Sequence, residues 1–193
     1  MRIRQLLCSV AAPLAALLFC VPARAATDPP QPEVAAAFDF ETPTDLTAWH
    51  DEDRTGEAPS IIALDPVNPQ SGKFSLKVGV DRDAATSHDA YCRITTKDRS
   101  QNRKLMVDFY ARTTLLHTGE ASFRVLEWAN GKPTHWIGNK ENLVAIAGNG
   151  WTKYHEEAPL SDGTDDLNLY VFLLKPTAGE AVWIDDLKVK IAH

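Results

Sequence analysis

The sequence predicts an all-β domain, an antiparallel two-sheet β-sandwich, on three observations. From Phe38 onward apolar residues recur at every second position in short runs, the period of half-buried strands. Turn dipeptides (Asn130-Gly131, Asn149-Gly150, Asp162-Gly163 and Ala178-Gly179) punctuate those runs. Glu33 to Ala37 is the one helix-favouring patch, and it is too short to found a helical fold.

The chain opens with an export signal. Arg2 and Arg4 form a positive start, Leu6 to Pro22 is almost wholly apolar, and Ala23-Arg24-Ala25 fits the small-x-small cleavage pattern, so residues 1–25 read as a signal peptide and the mature protein begins at Ala26. The apolar run carries Pro13 and Pro22 and is shorter than a membrane span of ~20 residues, so no membrane insertion is expected after cleavage. The expected location is the periplasm or the extracellular medium. Cleavage removes three arginines and no acid, leaving 17 basic against 26 acidic side chains, a net charge of −9. That balance argues against nucleic acid, whose phosphates demand a basic face, and against an anionic membrane surface. Cys92 is the one cysteine left, so no intramolecular disulfide can form. One core suffices for a chain of this size.

Residues 26–36 read as a proline-rich leader, with Ala26 to Pro32 an extended spacer, and residues 37–193 as one domain. Within the domain the strand candidates begin with the segment around Phe38. Then follow Ser60 to Leu64, Phe74 to Val80, Tyr91 to Thr96, Met106 to Arg112, Ser122 to Trp128, Trp151 to Ala158, Leu167 to Leu174 and Ala181 to Ile191. Phe74, Leu76, Val78 and Val80 alternate with polar or small residues, and so do Val107, Phe109 and Ala111. Asn130-Gly131 lies between two aromatic-bearing runs and suits a hairpin turn. The last candidate breaks its own alternation: its apolar positions are even before Asp185-Asp186, Trp183 aside, and odd after it. A one-residue slip flips every side chain, so a β-bulge at the two aspartates is the simplest repair; the alternative is that the two faces are buried in succession.

Strand parity also nominates a binding face. If Val107, Phe109 and Ala111 face the core, Asp108, Tyr110 and Arg112 face away from it; if Phe123 and Val125 do, Arg124 and Trp128 join them. Such a row, with Trp136 beyond the hairpin turn, suits a glycan: rings stack on pyranose faces and planar polar groups reach hydroxyls. The duller reading is a salt-bridged polar face. Trp49, Trp151 and Trp183 read as core or half-buried aromatics. Cys92, without an assignable basic partner, reads as a buried inert thiol.

Three segments then resemble a known group. Phe38-Asp39-Phe40-Glu41 followed by Leu46 and Trp49, Ser71-Gly72-Lys73-Phe74-Ser75-Leu76-Lys77-Val78, and Val182-Trp183-Ile184-Asp185-Asp186-Leu187 occur in the order of carbohydrate-binding jelly-roll modules of families four, nine and twenty-two, within the galactose-binding-like group. The resemblance implies a jelly roll whose first and last strands are neighbours, with a structural calcium between them. Carried over by position, its ligands are the side chains of Glu41 and Asp185 and a backbone carbonyl near Lys73. The Ca2+ ion is a sensible guest for two carboxylates and hard oxygens.

The function expected is therefore non-catalytic binding of a poly- or oligosaccharide by a secreted protein. The alternatives are a jelly-roll polysaccharide lyase or glycoside hydrolase, or a structural or protein-binding envelope domain. A hydrolase needs two carboxylates across a glycosidic bond, for which Glu127 and Asp108 are the nearest to the candidate aromatics; a lyase could draft Tyr110, His135 and Arg112 without a supporting motif.

Overall fold

The computed structural model describes residues 31–52, 61–96, 99–115, 120–138 and 141–193. The predicted signal peptide and residues 26–30 of the leader lie outside the described residues.

Twelve strands and one short helix are present among them. In chain order they are β1 (Glu33–Phe38), α1 (Pro43–Leu46), β2 (Trp49–Asp51), β3 (Ile61–Asp65), β4 (Ser75–Gly79), β5 (His88–Thr95) and β6 (Lys104–Thr113). Then follow β7 (Ala121–Ala129), β8 (Lys132–Ile137), β9 (Val144–Ile146), β10 (Thr152–Pro159), β11 (Asp166–Leu173) and β12 (Ala181–Ala192). They form two antiparallel six-stranded sheets. The first runs β10-β6-β12-β4-β3 with β1 also on β12; the second runs β2-β5-β11-β7-β8 with β9 also on β7. This is the β-sandwich jelly roll that the alternating runs predict.

The core is the set of inward positions from both sheets. Leu105, Val107, Phe109 and Ala111 of β6 face Phe123 and Val125 of β7, and Leu167, Leu169, Val171 and Leu173 line β11. The Phe109 and Phe123 rings meet across the interior at 4.8 Å. Burying a side chain of that size stabilises the fold by roughly 1.5–3 kcal/mol. Trp49 is buried, packed with Phe38 and Phe40. The β7–β8 turn has positive φ at both Asn130 and Gly131, 53° and 74°, the conformation of a two-residue hairpin whose twist matches its strands.

The expected bulge is present. The β12–β6 register slips between Asp185 and Lys188, and Asp186 adopts φ 49°. At the same place β12 changes neighbours: Ala181–Ile184 pair with β4, and Leu187–Ile191 pair with β1.

Two readings are corrected. Glu33–Ala37, expected as a helix-favouring patch within a leader ending at residue 36, forms β1, because the open edge of β12 offers a ladder that outweighs a local preference. Asp108, Tyr110 and Arg112 do not share a face with Arg124 and Trp128. β6 and β7 belong to different sheets, so their outward residues lie on opposite sides of the sandwich. Consecutive strands are neighbours in only about two-thirds of cases, and this connection crosses between sheets.

Candidate functional site

On the outer face of the first sheet the predicted site residues already have partners within the protein. Asp108 accepts a 2.7 Å hydrogen bond from His155 and lies 3.5 Å from the Lys190 ammonium. Burial raises the Asp108 carboxyl, but the His155 and Lys190 interactions outweigh it and hold it below its ordinary value. The Arg112 guanidinium lies 3.9 Å from the Trp183 ring centre and 5.3 Å from that of Trp151, and it donates to the Val67 carbonyl. Trp183 donates to Asp65, and Trp151 to the Asn68 carbonyl. Trp151, expected in the core, therefore helps hold a loop against the outside of the sheet. Tyr110 is half-buried beside them.

The outer face of the second sheet is different. Inward Cys92, Leu169 and Val125 leave Tyr91, Tyr170 and Arg124 outward in one cross-strand row, with His50 opposite Tyr91. Their rings touch in sequence. His50 and Tyr91 are 5.7 Å apart, Tyr91 and Tyr170 5.7 Å, and Tyr170 and Trp136 of β8 5.2 Å. The result is an aromatic line running across five strands. Tyr170, 2% exposed, is its floor; Tyr91 and Trp136 are half-buried and His50 is exposed. Beside Trp136 a shallow cleft of about 460 Å³ is lined by Leu126, Thr134, His135 and Glu141.

Polar groups border this line. Arg124 stacks on Phe172 at 3.3 Å and lies 3.7 Å from Glu141. Asn168 donates to the Tyr170 hydroxyl, while its Oδ1 is buried without a hydrogen-bond partner among the described residues. The same is true of Trp128 Nε1. Buried polar atoms are nearly always paired, so both are unusual; Arg112 Nε on the outer face of the first sheet is without a partner among the described residues as well. Of the six predicted sugar contacts, Arg124, Trp128 and Trp136 belong to this face. His50, Tyr91, Arg93, Asn168 and Tyr170 were missed, although the alternation Leu167-Leu169-Val171-Leu173 turns Asn168 and Tyr170 outward as plainly as any pattern in the chain.

The residues considered for catalysis do not converge. Glu127 is fully buried and faces inward, where Oε1 accepts the Ser161 N–H; Asp108 lies outside the other sheet. Tyr110 and Arg112 are on β6 and His135 on β8, in different sheets. Cys92 is buried, and burial pushes its thiol up to about 12.

Glu41 and Asp185 meet at a single loop. Glu41 Oε1 accepts the N–H groups of Lys73 and Phe74 at 2.8 and 3.2 Å. Asp185, 0% exposed, accepts those of Gln70 and Ser71 at 3.0 and 3.1 Å on Oδ2 and that of Asp186 on Oδ1. Burial raises the Asp185 carboxyl despite these bonds. Lys73 thus presents its N–H to Glu41. Asp185, not Asp186, is the carboxylate aimed at the loop, as the bulge requires. Gln70 Oε1 and Ser75 Oγ, on the same loop and at the start of β4, are buried without partners among the described residues. Carboxylate, amide and hydroxyl oxygens are of the kind a calcium ion takes, but those of Glu41 and Asp185 accept backbone N–H groups of the loop here. Among the described residues no three His, Cys, Asp or Glu side chains group closely enough to hold a metal.

No protein-family model matches the sequence, and no curated protein is significantly similar to it. Solved structures are similar in fold. The CBM22-1 xylan-binding domain of Paenibacillus barcinonensis Xyn10C is 13% identical with a TM-score of 0.58, over 83% of this chain and 96% of that one. The C-terminal family 22 carbohydrate-binding module of Clostridium thermocellum Xyn10B is also 13% identical, with a TM-score of 0.56 over 82% and 94%. The enzymatically active domain of bacteriophage CBA120 tailspike protein 4 reaches 0.58 at 15% identity, over 80% of this chain but 20% of that one. The fold is that of carbohydrate-binding jelly-roll modules, and family 22 is one of the three families the sequence resembles.

Proposed function

We propose that this chain is a secreted, non-catalytic carbohydrate-binding protein that lays a poly- or oligosaccharide across the outer face of its second sheet. The observation that carries this is the unbroken aromatic line from His50 through Tyr91 and Tyr170 to Trp136. Pyranose rings present apolar C–H faces that stack on such rings, and the flanking Arg124 supplies a planar hydrogen-bonding group for the hydroxyls. The export signal would deliver the domain to where polysaccharides are met. A calcium ion held by Glu41 and Asp185 would neutralise the two carboxylates and tie both ends of the domain to the loop before β4.

Affinity electrophoresis or calorimetry against a panel of plant, algal and bacterial polysaccharides tests the reading. Trp136→Ala and Tyr91→Ala should each weaken binding about tenfold or more, whereas Tyr110→Ala on the opposite sheet should leave it unchanged. Absence of retention by every polysaccharide in the panel would overturn it. Release of oligosaccharide products would refute the non-catalytic part.

A further inference from the structure

Trp128 is an outward ring on the proposed binding face, but one of its faces is taken. The Arg93 guanidinium lies 5.3 Å from the Trp128 ring centre. Arg93 leaves β5 directly opposite Asn168 and reaches Asp166, opposite Trp128, where it donates to Oδ2 at 2.5 Å. Its side chain therefore runs diagonally over the patch made by Asn168, Asp166 and Trp128. This patch holds two of the buried polar atoms that lack partners among the described residues, Asn168 Oδ1 and Trp128 Nε1. Asn168 is only 5% exposed, so neither solvent nor a ligand reaches its free oxygen while its neighbours stay in place. Arg93 itself is the loose piece: its side chain is 48% exposed, and an ion pair so wetted holds weakly.

Resting on the carbohydrate-binding reading, we infer that Arg93 occupies a saccharide subsite of its own protein. It caps the Trp128 ring in the free state and yields that place to a sugar. When Arg93 swings into solvent, the Trp128 face is open for stacking. Trp128 Nε1 gains access to a hydroxyl oxygen, Asn168 Oδ1 to a hydroxyl proton, and Asp166, kept by Thr95 at 2.7 Å, has an oxygen free for a second hydroxyl. One orphan donor and one orphan acceptor on diagonal positions of adjacent strands suit a neutral vicinal diol. A uronate carboxylate could not donate to Asn168 and would meet Asp166 as a like charge. The subsite lies beside the aromatic line, so a longer oligosaccharide would engage it and a short one would stop before it.

The sign of one mutation decides. Arg93 as an ordinary sugar contact requires Arg93→Ala to weaken binding. The self-occupied subsite requires Arg93→Ala to tighten binding of a neutral polysaccharide by about threefold to tenfold, the worth of an exposed ion pair and a cation–π contact together. The gain should vanish in Arg93→Ala/Trp128→Ala. Wild-type affinity for the neutral polysaccharide should rise with salt as the Arg93–Asp166 pair is screened, and the Arg93→Ala protein should lose that dependence. Weaker or unchanged binding by Arg93→Ala, in a protein whose circular dichroism matches wild type, overturns the inference while leaving the broader reading intact. Arg93→Gln, which keeps the stem without the charge, serves where the alanine variant does not fold. Failure of the wild type to bind any neutral polysaccharide overturns both.

Discussion

Gly72→Ala is the sharpest probe of the junction between the chain ends. Gly72 has φ +58°, and a Cβ built on it would lie 2.1 Å from Glu41 Oε1 and 2.4 Å from the carboxyl carbon. Alanine in the left-handed region costs about 1 kcal/mol. The larger cost is indirect. Glu41 must withdraw the oxygen that accepts the Lys73 and Phe74 N–H groups, and hydrogen bonds to a charged group contribute roughly 1.5 kcal/mol or more each. Part of this returns because the carboxylate end is flexible and half-exposed, which puts the net destabilisation at about 2–4 kcal/mol. For a domain of this size that lowers Tm by roughly 5–15 °C. Thermal melts followed by circular dichroism, each repeated with EDTA and with added CaCl2, read out both halves of the reasoning. Wild-type Tm should fall with EDTA and recover with calcium, and Gly72→Ala should melt early and respond less to the ion. A variant melting within about 2 °C of wild type would refute the clamp. A clamp that proves costly to break, in a protein indifferent to EDTA and calcium, would refute the ion alone.

Two further outcomes follow from the buried and paired titratable groups. The hydrogen bond to Asp108, helped by Glu157, raises His155 above its ordinary 6.5, so its contribution is complete below that value and is lost as pH rises through the folded one. Asp108 is lowered from 3.8, so its share is complete above that value and is lost as acid takes pH below it. Tm should therefore show a small decline between about pH 6 and pH 8 that His155→Gln removes, and a pH-independent difference there would refute the pairing. Cys92, 1% exposed with its thiol at about 12, should resist a thiol reagent such as DTNB at about pH 8 until denaturant is added. Rapid labelling of the native protein would show that the core opens around β5.

Parity along single strands was legible; the assignment of strands to sheets was not. Alternation placed Val107 and Phe109 inward and Asp108 and Tyr110 outward correctly, because burial on one face is written into each strand locally. The bulge was legible for the same reason: of the two local explanations for a change of phase at Asp185-Asp186, a residue that does not pair and burial of the two faces in succession, the first is the simpler. Nothing local, however, states that β6 belongs to one sheet and β7 to the other, since that depends on which edges remain open after a dozen strands have paired. One continuous row was therefore expected where two half-rows exist. Glu33–Ala37 shows the complementary case, a short alanine-rich stretch made into β1 by the edge waiting for it.

What separates the two outer faces is what their aromatic rings touch, since each carries a buried polar atom without a partner among the described residues, Arg112 Nε on the first sheet and Asn168 Oδ1 and Trp128 Nε1 on the second. The types of residue hardly differ, for both carry arginines, aspartates and tryptophans. On the first sheet the cations and indoles are spent on the protein itself: Arg112 lies between Trp183 and Trp151, Trp183 Nε1 binds Asp65, Trp151 Nε1 binds a carbonyl, and Asp108 binds His155. On the second sheet the rings touch mainly one another, and Asn168 Oδ1 and Trp128 Nε1 go without partners. Composition alone does not separate the faces; the continuous line of ring contacts on the second sheet does, and the proposed function rests on that line.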